Sequence, residues 1–89
     1  MEIDFDAEKD ADNRRHRGLP LALGAVVLAN LVVEFEDTRR DYGERRVIAV
    51  GTIAGRLHVC VYTMRGEICR IISLRKANTK EGRKWQPSP

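Results

Sequence analysis

The stretch RLHVCVYTMRGEICRIISLR, residues 56–75, decides the fold. Apolar and polar side chains alternate on both sides of Arg65-Gly66, the pattern of two half-buried strands joined by a tight turn. A connection this short permits only an antiparallel hairpin. The same alternation precedes a second turn signal, Ile53-Ala54-Gly55. We therefore expect three consecutive antiparallel strands, over residues 45–52, 56–63 and 68–75.

A two-residue turn at Arg65-Gly66 would fix which side chains share a face of this hairpin. Arg56 then lies opposite Arg75. One face holds Arg56, His58, Ser73 and Arg75, and the face that should meet the helices holds Leu57, Val59, Val61, Thr63, Ile68, Arg70, Ile72 and Leu74. Opposed arginines repel. Either an anionic ligand or a carboxylate such as Glu44 offsets this repulsion, or both side chains splay into water. The face of Arg46 depends on the length of the turn between its strand and the strand that begins at Arg56. A three-residue turn would place Arg46 on the face of Arg56, and a four-residue turn would place it on the helix side. The sequence leaves both open.

The segments before the hairpins predict two helices between two strands. A short strand over 3–5 leads to a helix over 7–17, which Asp6 caps and Gly18 ends. Pro20 opens a second helix, to Ala29, that is apolar nearly all round. This helix either fills the core beneath the sheet or leaves a face for a partner protein. A strand over 32–36 and a polar loop over 37–43 follow.

The C-terminus predicts a basic helix over 78–85 and a frayed tail over 86–89. The element order is then β-α-α-β-β-β-β with a C-terminal helix. It indicates an α+β fold, a small single domain over 1–89, with an antiparallel twisted sheet and its helices packed on one face.

Composition narrows the function classes. With 43% hydrophobic and 33% charged residues, the chain is typical of a globular protein. We expect a cytoplasmic protein without membrane contact, since neither a leader nor an apolar span is visible. Cys60 and Cys69 are expected to be free thiols near the core, and no Cys/His spacing predicts a metal site.

Charge is unevenly distributed along the chain. Residues 1–46 carry 8 basic and 11 acidic groups, whereas residues 47–89 carry 8 basic and 2 acidic groups. A basic half is typical of nucleic-acid binding, and equally of an ordinary solvated surface.

The sequence resembles the BrnT family of toxins over almost its whole length. The segment RIISLRKA after a strand that begins with Gly-Arg is the most specific part of this resemblance. The matching residues are Ile3-Asp4-Phe5-Asp6, Asn13, Gly18, Glu36-Asp37, Gly43-Glu44, Arg46, Gly51, Gly55-Arg56-Leu57, Val59, Val61-Tyr62-Thr63, Arg65-Gly66, Arg70-Ile71-Ile72-Ser73, Arg75, Ala77, Glu81 and Trp85.

This resemblance implies a RelE-like fold and a ribonuclease activity that halts translation. It also implies a partner, a BrnA-like ribbon-helix-helix antitoxin, with which the toxin forms a hetero-oligomer and through which alone it reaches operator DNA. Three departures from the family stand out. His16-Arg17 replaces the usual Lys-His, Leu74 replaces alanine, and the second helix opens with Pro20, Ala22 and Leu23 instead of a capping residue and acids.

RNA cleavage without a metal or cofactor needs a proton acceptor and a stabiliser of the charged phosphate. Arginine suits the second task, because its planar guanidinium group donates two parallel hydrogen bonds to phosphate oxygens. We expect the catalytic residues to be Glu44, Arg46, Arg56, Arg70 and Arg75. We expect the substrate-binding residues to be His58, Tyr62, Lys76 and Trp85.

Some of these roles have plain alternatives. By register Arg70 lies on the opposite face from Arg56, so strand twist brings it round or its role is structural. Tyr62 fits sheet packing as well as base stacking, and His58 fits a surface strand position. Two other function classes also stay open: a non-catalytic nucleic-acid or ribosome-binding module, and a protein-docking domain.

Overall fold

The computed structural model describes residues 1–86, and from residue 87 on the predicted frayed tail lies outside the described residues. The elements in chain order are β1 (Glu2–Phe5), α1 (Ala7–Arg17), a 3-10 turn (Leu21–Leu23), α2 (Gly24–Ala29), β2 (Leu31–Glu36), β3 (Val47–Ile53), β4 (Arg56–Arg65), β5 (Ile68–Lys76) and α3 (Thr79–Lys84). The predicted order of elements is confirmed. The second helix differs in detail, since its first turn after Pro20 is a 3-10 turn.

The strands form one five-stranded sheet in the order β1-β5-β4-β3-β2. The pairings from β2 to β5 are antiparallel, as predicted, and β1 alone pairs in parallel, with β5. Among residues 1–86, no helix is long and apolar enough to cross a bilayer.

Local signals explain where α1 begins and ends. The Asp6 carboxylate accepts hydrogen bonds from the backbone N–H groups of Glu8 and Lys9, at 2.8 and 3.1 Å. These bonds lower the pKa of Asp6. Gly18 ends the helix in the left-handed conformation, with φ of 72°. The Asn13 amide donates to the carbonyls of Leu19 and Leu74, at 2.8 and 2.9 Å, and so attaches α1 to β5.

One face of the sheet, the helix face, packs against the 3-10 turn and α2. Its buried core comprises Leu21, Val27, Ala49, Cys60, Cys69, Ile71 and Leu74. Both cysteines are free and fully buried, as predicted. Burial raises the pKa of the Cys60 thiol to about 12, so it does not act as a nucleophile at neutral pH.

The opposite face, here the open face, has a smaller apolar core. Val50, Leu57 and Val59 form it, and the partly buried Ala77 and Trp85 pack against them. The predicted placement of all helices on one face therefore holds for α2, while α1 lies along β5 and the segment around α3 reaches the other face.

The predicted hairpin register is wrong. Arg65 pairs with Ile68, so Gly66-Glu67 is the turn, and a β-bulge at Ile72 adds a second shift. Val59, and not Arg56, lies opposite Arg75. The side chains of β4 with odd numbers therefore lie on the open face together with Ser73 and Arg75. Leu57 and Val59, expected against the helices, pack on that open face instead.

Candidate functional site

Two of the predicted catalytic arginines and the predicted base lie together on the open face. The carboxylate of Glu44 lies 3.5 Å from the Nε of Arg46 and 3.5 Å from an Nη of Arg65. Arg70 lines the same cavity, of about 180 Å³, as does Lys9 of α1. We call these five residues the Glu44 cluster.

The cluster combines side chains from α1, β4, β5 and the loop before β3. Arg70 projects from β5 and its guanidinium lies 3.1 Å from the Asp4 carboxylate of β1. The Glu44 and Arg46 side chains are 28% and 22% exposed, so both are partly withdrawn from water yet reachable from the cavity. The Arg46 Nε is buried and donates to no atom of residues 1–86. A buried donor without a hydrogen-bond partner costs stability, and the Glu44 carboxylate at 3.5 Å compensates for it only through its charge.

A network in the loop before β3 positions Arg46. The Asp37 side chain is 1% exposed and accepts from the Arg39 guanidinium twice, at 2.8 Å each, and from the Tyr42 hydroxyl at 2.9 Å. The Tyr42 ring in turn lies 4.2 Å beneath the Arg46 guanidinium. Arg39 holds the pKa of Asp37 well below its usual range, so the network stays ionised at neutral pH.

A second group of charged and aromatic residues lies farther along β5. Arg75 makes a two-pronged ion pair with Glu81, with N–O distances of 2.7 and 2.8 Å. The rings of Phe35 and Trp85 pack beside it, their centroids 5.7 Å apart. Together with Arg39 these residues line a cavity of about 350 Å³, which we call the Trp85 pocket.

The two cavities are linked. A shallow depression beside α1 shares Lys9 and Ile72 with the cavity of the Glu44 cluster and shares Asn13 and Arg17 with the Trp85 pocket. A groove thus follows β5 on the open face from one arginine group to the other. Arg17 lies on this groove.

The other predicted site residues lie elsewhere. Arg56 lies at the start of β4, in a depression beside the N-terminal end of α3. His58 is 3% exposed and its Nδ1 donates to the Arg56 carbonyl at 2.7 Å, so it is buried and does not occupy the surface strand position expected. The Tyr62 hydroxyl donates to Glu34 at 2.8 Å, which agrees with sheet packing. Lys76 is exposed at the end of β5, opposite His58.

Several groove residues are not among the predicted ones. The sequence predicts that Arg65 lies in the turn between β4 and β5. The observed turn is Gly66-Glu67, one residue later, and this shift brings Arg65 to Glu44. Arg39 belongs to a loop without periodicity, and only its spacing from Asp37 signals the pair. Among residues 1–86, no three His, Cys, Asp or Glu side chains are grouped as a metal site requires.

The Arg75–Glu81 pair predicts a pH dependence of stability. Arg75 lowers the pKa of Glu81 from 4.5 to about 2. A carboxyl with a depressed pKa stabilises the fold fully above its unfolded pKa, and this contribution is lost as the pH falls through the folded pKa. We expect Glu81 to contribute about 1–2 kcal/mol at neutral pH, allowing for solvent screening of Arg75.

Urea unfolding of the wild type and Glu81→Gln measures this contribution. The two should differ at neutral pH and converge between about pH 4.5 and about pH 2. A gap that stays constant over that range would show that Glu81 acts through packing or capping alone.

The chain matches a known protein family over most of its length. The model of a family described as the ribonuclease toxin BrnT of type II toxin–antitoxin systems matches residues 5–81. This range includes the whole Glu44 cluster and all but Trp85 of the residues that define the Trp85 pocket. A search of curated proteins finds no match.

Proposed function

Because this chain belongs to the BrnT family of ribonuclease toxins of type II toxin–antitoxin systems, we propose that it cleaves RNA at the Glu44 cluster without a metal ion. The observation that carries this proposal is one carboxylate 3.5 Å from two guanidinium groups in a cavity that a third guanidinium lines. A carboxylate among arginines pairs a proton acceptor with binders of phosphate.

The chemistry uses the ribose 2′-hydroxyl as nucleophile. Glu44 takes the proton of this hydroxyl, the 2′-oxygen bonds to phosphorus, and the bond from phosphorus to the 5′-oxygen breaks. The leaving 5′-oxygen takes a proton from water. Negative charge grows on the phosphate oxygens meanwhile, and Arg46 and Arg70 stabilise it through charge-assisted hydrogen bonds. Both arginines line the cavity, so other N–H groups of their guanidinium groups are the donors available to a phosphate bound there.

The role of each arginine follows from its present partners. Arg75 is occupied by Glu81, whose pKa of about 2 makes it a poor proton acceptor at neutral pH. We therefore assign Arg75 and Trp85 to RNA binding. Arg56 lies off the groove and has no part in the mechanism proposed.

Cleavage of RNA is the proposed route by which the toxin halts translation in the cytoplasm, and its family implies an antitoxin partner. We propose that this antitoxin is of the BrnA-like, ribbon-helix-helix kind and carries the contact with operator DNA. A docking surface is available on β2, an edge strand whose Leu31, Val32 and Phe35 side chains are exposed to 42%, 39% and 39%. Exposed apolar edges of this kind favour pairing with another chain.

The test is cleavage of a labelled RNA by purified protein in EDTA, beside a cell-free translation reaction. We expect cleavage at the same rate with EDTA and with Mg²⁺, and arrest of translation by the same preparation. Arg46→Ala protein purified identically controls for contaminating nuclease. Activity only with Mg²⁺ would contradict metal independence, and intact translation despite cleavage would contradict the proposed route of toxicity.

A further inference from the structure

The Trp85 pocket has the composition of a site for a flat, unstacked ring. Ile48, Val59 and Val61 line it with apolar surface, and Phe35 and Trp85 supply aromatic rings. Its volume of about 350 Å³ lies at the lower end of the range for small-molecule sites. Aromatic side chains in such pockets stack on nucleobases that have left a helical stack.

The polar groups of the pocket are almost all donors. Arg75 is held by Glu81, and Arg39 is held by Asp37, each through two hydrogen bonds. A guanidinium has five N–H donors, so each arginine keeps further donors in a fixed orientation. The carboxylate oxygens of Glu81 already accept from Arg75, and Oε1 accepts from the Asn78 N–H as well, which reduces their capacity to accept from a ligand.

The remaining side chains add little acceptor capacity. The Asn13 amide donates to Leu19 and Leu74, and its oxygen faces the Leu74 N–H at 3.4 Å. Among the polar side chains of residues 1–86 that line the pocket, the Ser73 hydroxyl is the acceptor that no other group of the chain already uses. A base that presents an exocyclic amino group to the pocket would therefore place a hydrogen-bond donor against the N–H donors of the protein.

These properties select among the bases. Guanine presents adjacent acceptors, O6 and N7, which match an arginine fork, whereas adenine presents a donor beside N7 and cytosine presents a donor at N4. Uracil offers acceptors but a smaller ring for stacking. We propose that the Trp85 pocket binds a guanine of the RNA substrate, and that it sets the sequence preference of cleavage.

The position of the pocket fits a role beside the cleavage site. Arg75 lies five positions after Arg70 on β5, about 16 Å along the strand, and the groove along α1 joins the two cavities. The guanine therefore belongs to a nucleotide a few positions from the cleaved bond. This inference rests on the proposed function in taking RNA as the ligand, and its test needs no cleavage.

Trp85 is the only tryptophan of the chain, so its fluorescence reports on this pocket alone. Titration with GMP, AMP, CMP and UMP, which share one phosphate, isolates the contribution of the base. We expect GMP to change Trp85 emission at concentrations at least about fivefold lower than the other three, the lower limit for one two-pronged arginine contact. Equal effects of all four, or none up to millimolar concentration, would overturn the proposal.

Arg75→Lys tests the donor fork while keeping the charge beside Glu81. This variant should lose the preference for GMP, to within about twofold of AMP, whereas Arg15→Lys on the outer side of α1 should keep it. An unchanged preference in Arg75→Lys would overturn the assignment. Glu44→Gln should bind GMP as the wild type does, so a failure of catalysis at Glu44 and a failure of guanine binding give separate results.

Discussion

Glu44→Gln is expected to lower the rate of RNA cleavage by about 100-fold or more, the usual contribution of a general base. Glutamine keeps the size of the side chain and an oxygen near the Arg46 and Arg65 guanidinium groups. It cannot take the proton of the 2′-hydroxyl. The loss should therefore appear in the cleavage step, measured at saturating enzyme on a single labelled RNA, while RNA binding changes little.

The matched control is Glu67→Gln, which removes the same charge from an exposed position in the turn between β4 and β5. It should cleave at the wild-type rate. Product ends give a second readout, because attack by the 2′-oxygen leaves a 2′,3′-cyclic phosphate. If Glu44→Gln cleaves RNA at the wild-type rate, with its circular dichroism spectrum unchanged, Glu44 has no part in the mechanism.

Gly51→Ala is expected to destabilise the fold by about 3 kcal/mol, near the upper end for overpacking. Gly51 lies in β3 where α2 ends against the sheet. A Cβ at this position would collide with the backbone carbonyl of Val27 and would come within 2.7 Å of the carbonyl of Asn30. Backbone atoms cannot rotate away, so α2 would have to shift from the core. For a small domain this is a large share of total stability.

Gly82→Ala is the control for this effect. Gly82 lies in α3 with nothing within 4 Å of an added Cβ, so alanine should be neutral or stabilising by about 0.5–1 kcal/mol. Urea unfolding curves of the two variants measure the difference. Equal stability of Gly51→Ala and the wild type would show that α2 moves away from the sheet without cost.

Local signals were sufficient for most elements of the fold. Asp6 and Gly18 act within one helical turn of α1, and the alternation of side chains marks β3, β4 and β5 without reference to the rest of the chain. The parallel pairing of β1 with β5 depends on residues more than sixty positions apart. No pattern within either segment encodes that pairing.

The register of the hairpin shows where local patterns fail. Arg65-Gly66 and Gly66-Glu67 are both two-residue turns, and a one-residue slip exchanges the faces of a strand. Gly66 has φ of 64° and stands first in the observed turn, a position that favours glycine. The bulge at Ile72 then shifts the register of the two strands once more. These shifts separate Arg56 from Arg75 and bring Arg65 to Glu44.

The sequence predicts the residue types of the candidate site better than it predicts which of those residues lie close together. Of the five residues that the sequence predicts to be catalytic, Glu44, Arg46 and Arg70 line one cavity, whereas Arg56 and Arg75 lie outside it. The network that positions Arg46 through Asp37 and Tyr42 was not predicted. It depends on the path of a loop, which residue periodicity does not describe.

The most direct test of the Glu44 cluster as the catalytic site compares Arg46→Ala with Arg56→Ala, in EDTA, on one RNA. Both remove an arginine that the sequence alone places in the active site, and only Arg46 lies in the cluster. We predict that Arg46→Ala loses about 100-fold to 1000-fold in cleavage rate, and that Arg56→Ala stays within about twofold of the wild type, with both proteins folded by circular dichroism. Retained cleavage in Arg46→Ala together with its loss in Arg56→Ala would contradict the account and would place the chemistry at the start of β4.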